Sequence, residues 1–204
     1  MTSTLAAASS SAMATGPFSH PRYTIKRPFF TLLGRKFYVY GADGSLALFV
    51  RHKLFALRDE WNLYSDESEA RPLIQVRARQ VIGINIISDV FDAQSGQKLG
   101  TVRNKGLKSI VRDTWETLDE KDQPQGSFTE DSSALLRRFL PLLPGHWHLE
   151  VGGEVVAKLD QVFRFFVKEF TLDLSLSQGR VDPRFALACA MLALMREVAR
   201  ESRG

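Results

Sequence analysis

Basic residues recur two apart along this chain: Arg51 and Lys53, Arg77 and Arg79, Arg103 and Lys105. On a β-strand that spacing puts both members of a pair on one face. Lys108 and Arg112 extend the third pair, and Arg137 and Arg138 form a further couplet. Gathered on one surface, such cations would hold an anionic phospholipid membrane, each contributing about 1 kcal/mol near it. The competing reading is a solvated exterior in which Asp59, Glu60 and Asp113 balance them. His146, His148 and Glu150 alternate in the same way. Imidazoles and a carboxylate on one face are zinc-type donors. Trp147, Leu149 and Val151 alternate with them, however, which is also the ordinary pattern of a half-buried strand. Trp61, Trp115 and Phe170 could stack on a ligand, yet large aromatics are foremost core residues.

Enzyme signatures are missing. The sequence has no G-x-S-x-G elbow, no Walker loop, no G-x-G-x-x-G and no H-E-x-x-H. The acidic residues are scattered rather than gathered in one motif. No catalytic residue and no cofactor is therefore expected. The net charge of +4 over 204 residues is too small to demand nucleic acid. The single cysteine, Cys189, allows no internal disulfide and fits a reducing compartment.

These residues need elements to position them. The composition, 44% hydrophobic and 25% charged, is that of a globular domain. Residues 1–24, rich in Ala, Ser and Thr, read as a disordered tail, and 25–204 as one domain. The first residues lack the features of a secretory signal. No stretch approaches the roughly 20 apolar residues of a membrane span. A cytoplasmic protein, at most peripheral to a membrane, is the expectation.

Short strands bounded by turn residues are expected at 28–33, 36–42, 45–51, 60–65, 72–78, 83–92, 97–103, 113–119, 124–129, 146–151, 154–159 and 163–175. A short helix is expected at 132–140. Strands at such regular spacing suggest a sandwich or barrel. Three stretches repeat one pattern: 38–66, 89–120 and 146–175. Each has an aromatic-rich strand, a glycine turn, a second strand, an irregular link and a third strand centred on an aromatic. The turns are Asp43-Gly44, Ser95-Gly96 and Gly152-Gly153, and glycine tolerates the positive φ of tight hairpins.

The last segment, PRFALACAMLALMREVAR over 183–200, predicts a helix. Asp182 suits the N-cap and Pro183 the first helical position. Residues 185–195 are apolar without interruption, so the helix must be buried on all sides. Eleven residues rise only about 16 Å, roughly half a bilayer core, so burial in protein is expected. The fold class is mainly β (α+β): a closed antiparallel barrel of about twelve strands around a buried C-terminal hydrophobic helix.

With these features the chain resembles the LURP-one-related and phospholipid-scramblase-like families of the tubby C-terminal-like superfamily, over roughly residues 27–200. The resemblance rests on FYVYGADGSLALFVRHKLFALRDEWNLY, DVFDAQSGQKLGTVRNKGLKSIVRDTWETLD, SALLRRFLP and the closing apolar helix. It implies a twelve-stranded barrel around a central helix, but no single shared function. The segment before the helix, SLSQGRVDP, has only Asp182 where scramblase-like proteins need an acidic calcium loop. Three functions are weighed. The first is a non-enzymatic binding module for anionic membrane phospholipid. The second is a structural or protein-interaction barrel, and the third is phospholipid scrambling.

Overall fold

A computed structural model describes residues 16–28, 35–52, 60–82, 85–104, 114–131, 144–164 and 166–201. Its strands are β1 (Arg22–Pro28), β2 (Arg35–Gly41), β3 (Leu46–His52), β4 (Glu60–Tyr64), β5 (Pro72–Ile82), β6 (Asn85–Asp92), β7 (Lys98–Asn104), β8 (Thr114–Leu118), β9 (Pro124–Glu130), β10 (His146–Val151), β11 (Glu154–Val162) and β12 (Val167–Asp173). Every strand pairs antiparallel with its sequence neighbours, and β1 pairs with β12. The sheet thus closes into a twelve-stranded barrel with no free edge. The helix expected at 132–140 lies outside the described residues.

The threefold pattern is present in the strands as β1–β4, β5–β8 and β9–β12. The second strand of each unit carries a register shift just before its hairpin turn, at Val39/Tyr40, Val90/Phe91 and Leu149/Glu150. Gly44, Gly96, Gly152 and Gly153 all take positive φ in those turns. Trp61, Trp115 and Phe170, equivalent in β4, β8 and β12, are all buried in the core. They serve packing, not ligand stacking.

Helix α1 (Pro183–Glu201) follows β12. Asp182 caps it: its Oδ1 accepts from the Arg184 backbone N–H at 2.8 Å. A cation in the first turn opposes the helix dipole, but Arg184 is ion-paired to Asp182 and to Asp92 at the end of β6. These pairs fix where the helix enters. Residues 185–195 are at most 3% exposed and share one apolar cluster with inward residues of all twelve strands. Gly100 makes room for the helix in β7. A Cβ there would lie 2.6 Å from the Phe185 ring. At the far end Arg196 sits over the Trp115 ring (5.2 Å), and Lys168 of β12 pairs with Glu197 (3.5 Å).

Two expectations are corrected. A strand that was not expected, β1 at Arg22–Pro28, lies inside the stretch assigned partly to the tail, while residues 29–33 of the strand expected at 28–33 lie outside the described residues. Tyr23 and Ile25 are fully buried in the core. Alternation of Tyr23 and Ile25 with Arg22, Thr24 and Lys26 overrides the loop signal of the flanking prolines. The strand expected at 163–175 is shorter, because the β11–β12 turn occupies its first residues.

Leu187→Asp should abolish folding, since an unpaired charge in this core costs several kcal/mol. Leu176→Asp, at a 44%-exposed position, should leave the circular-dichroism spectrum intact. Gly100→Ala should lower the denaturation midpoint, by at least about 1–3 kcal/mol, because its Cβ would crowd both Phe185 and the Leu118 carbonyl at a φ of +155°.

Candidate functional site

In an up-and-down barrel, connections alternate between two ends. The start of α1, the hairpin turns and 174–182 share one end; the strand termini at Pro28, His52, Ile82, Asn104, Glu130 and Val162 share the other. The candidate basic residues divide between the barrel wall and the chain beyond these latter termini.

On the wall, the described candidates are all ion-paired. Arg51 Nε lies 2.5 Å from Glu69 Oε1 and Arg77 Nε 3.1 Å from Glu60 Oε2. Arg103 donates through Nε and Nη2 to Glu116 Oε2 at 2.9 and 2.6 Å, across the β7–β8 register. Arg79 donates to Asp89 and, through Nη2, to Asp122 at 2.9 Å. Lys98 Nζ joins it, 2.7 Å from Asp122 and 3.3 Å from Asp89, with the Thr101 hydroxyl donating to Asp89 at 2.7 Å. Two cations and two carboxylates thus form a neutral cluster in which Asp89 of β6 and Asp122 of the β8–β9 turn face Arg79 and Lys98. Lys53, Lys105, Lys108, Arg112, Arg137 and Arg138 lie outside the described residues.

The carboxylates report this pairing. Hydrogen bonds from Arg79 and then Lys98 hold Asp122 far below the usual range. Burial pushes Asp89 up, but bonds from Arg79 and Thr101 and the charge of Lys98 outweigh it and lower the carboxyl. At the β1–β12 seam, burial likewise raises Asp173, and bonds from Ser175 and Arg22 bring it down to about 2.

Two imidazoles take separate partners. His146 Nδ1 is 2.7 Å from Asp160 Oδ1, and His148 Nδ1 is 2.6 Å from Asp131 Oδ1, with Glu150 at 3.4 Å from His148 Nε2. Among the described residues no group of three or more His, Cys, Asp or Glu is arranged to hold a metal ion. His146 is therefore drawn to Asp160 of β11, while His148 lies between Asp131 and Glu150, and the set His146, His148 and Glu150 does not form one centre. Cys189 lies inside the apolar core, where burial pushes its thiol up and suppresses the thiolate.

The sequence reading missed a depression of about 770 Å³ on the outer wall, lined by Arg22, Thr24, Lys26, Tyr40, Asp173 and Ser175 among others. Lys26 lies over the Tyr40 ring, 5.4 Å from its centroid, and Arg22 Nη2 donates to Asp173 Oδ2 at 2.7 Å. The depression is not evident in the sequence because the start of β1, Arg22–Thr24, reads as tail and its pairing with β2 and β12 appears only in the fold. It also missed two exposed phenylalanines, Phe163 and Phe166, in the turn between β11 and β12.

Comparison with known proteins finds no family model and no curated protein that matches the chain.

The depressed carboxyls set a pH dependence. An unfolded Asp titrates near 3.9, so these pairs stabilise the fold fully above about pH 4. That contribution is lost as pH falls through the folded value, about 2 for Asp173. Arg79→Gln should let Asp89 and Asp122 protonate earlier and raise the midpoint of acid unfolding. An unchanged midpoint would remove the cluster from the account of stability.

Proposed function

We propose that the protein is a non-catalytic barrel module that binds anionic phospholipid surfaces, and that it does so through one end of the barrel rather than its wall. The observation that carries this reading is the segregation of charge between the two ends. Sequence stretches joining strands at the α1-entry end (42–45, 65–71, 93–97, 119–123, 152–153 and 174–182) hold eight carboxylates against three cations. Stretches joining strands at the opposite end (29–34, 53–59, 83–84, 105–113, 131–145 and 163–166) hold eight Lys and Arg against three carboxylates. Such a distribution orients a protein before an anionic surface, with the acidic end away from it. The wall is a poor candidate, since Arg51, Arg77, Arg79 and Arg103 already face carboxylates.

Catalysis is left out of the proposal because the barrel interior is occupied by apolar side chains of α1 and the strands, where a pocket would otherwise form. The resemblance to scramblase-like proteins supports a lipid partner. Among the described residues no helix is long and apolar enough to cross a membrane, so scrambling by an ejected helix is not proposed either.

Flotation with vesicles tests the reading. Binding to acidic vesicles, lost on neutral ones and weakened by physiological salt, is expected. Replacing Lys105, Lys108 and Arg112 by Glu should weaken it at least about tenfold, at roughly 1 kcal/mol per cation. Arg77→Gln with Arg103→Gln should leave it unchanged. Absence of binding under every condition would favour the protein-interaction barrel instead.

A further inference from the structure

The β11–β12 connection departs from the rest of the barrel. Phe163 and Phe166 are 59% and 78% exposed, the most exposed large hydrophobic side chains among the described residues. The turn is short and framed by paired strands: Val162 pairs with Glu169, and Val167 with Pro28 of β1. Phe163 and Phe166 thus lie immediately beyond the last paired residues of β11 and β12. Arg164 lies between them in sequence, with its side chain 58% exposed and Nη2 3.3 Å from Glu169 Oε1. Lys26 reaches the same carboxylate at 3.9 Å. Two cations share one anion behind the phenylalanines, so the tip combines apolar rings with surplus positive charge.

We infer that this tip is a membrane anchor in which Phe163 and Phe166 enter the interfacial region of a bilayer while Arg164 and Lys26 meet lipid phosphates. The inference rests on the proposed binding of anionic lipid and adds how the barrel is held there. A bilayer is the occupant favoured by charge: the tip belongs to the barrel end whose connecting sequences are basic. An aromatic side chain with a flanking cation suits the headgroup boundary, where rings lie below the phosphates and Arg extends to them. Salt screens the cations but not the apolar contact. Part of the binding to acidic vesicles should therefore survive at high salt.

The test uses the full chain and vesicles containing phosphatidylserine. Phe163→Ser with Phe166→Ser changes exposed positions, so its thermal midpoint should match the wild type. Its partition onto vesicles should fall at least about tenfold, and the salt-resistant part should vanish. In a second variant, Phe166→Trp, the added fluorescence should shift blue on vesicles and be quenched by lipids brominated along the acyl chain. If wild-type protein binds the vesicles but the serine variant binds equally and Trp at 166 is not quenched, the anchor is overturned while lipid binding stands. If the wild type does not bind at all, both fail. Loss of a dimer in the serine variant, with vesicle binding unchanged, would instead assign the rings to a second copy of the chain and overturn the anchor.

Discussion

A closed sheet of twelve strands encloses more space than its own inward side chains can fill; about eight strands is the size at which they just suffice. Everything else in this molecule answers that constraint. Helix α1 fills the interior, and it can do so because it is apolar on every side over residues 185–195. Ala186, Ala188, Ala190 and Ala193 keep it narrow, while Phe185, Leu187, Leu192 and Met195 supply volume. The strands adapt in turn, as Gly100 does beneath Phe185. The ends of the helix are tied by charge, Arg184 to Asp182 and Asp92 at its start and Glu197 to Lys168 near its finish.

Filling the interior decides where function can lie. In this barrel the lumen is consumed in packing. Recognition is left to the outside, and there the wall is largely neutralised by cross-strand pairs such as Arg103 with Glu116. What stays chemically distinctive is the contrast between the ends, and the aromatic tip at Phe163 and Phe166 on the basic one.

The fold was legible because its signals are local and repeated. Glycine turns, strands of period two and an uninterrupted apolar run each point to one element, and together to a barrel with a central helix. Even the equivalence of Trp61, Trp115 and Phe170 reflects a real structural repeat. The errors arose where local signals conflict. Pro21 and Pro28 bracket β1 and disguise its alternation. The aromatic-rich run from Phe163 reads as part of the following strand, which in the fold begins only at Val167. The site was less legible for a different reason. Sequence shows that Arg51, Arg77, Arg79 and Arg103 are available, but only the fold shows that each faces a carboxylate: Arg77 and Arg103 through the strand register, Arg51 through Glu69 of the β4–β5 turn and Arg79 from a bulge in β5. Charges that cancel across strands are far apart in the chain.

The central claim is that α1 and the strands form one inseparable core. Native-state hydrogen exchange tests it most directly, because it reports the free energy at which each amide opens. Amides of 187–194 should exchange only through global unfolding, with the same free energy as the buried strands β1, β3 and β11. Exchange of the helix at a distinctly lower free energy, with the strands still protected, would mean that the helix can leave a barrel that persists without it, and would contradict the account.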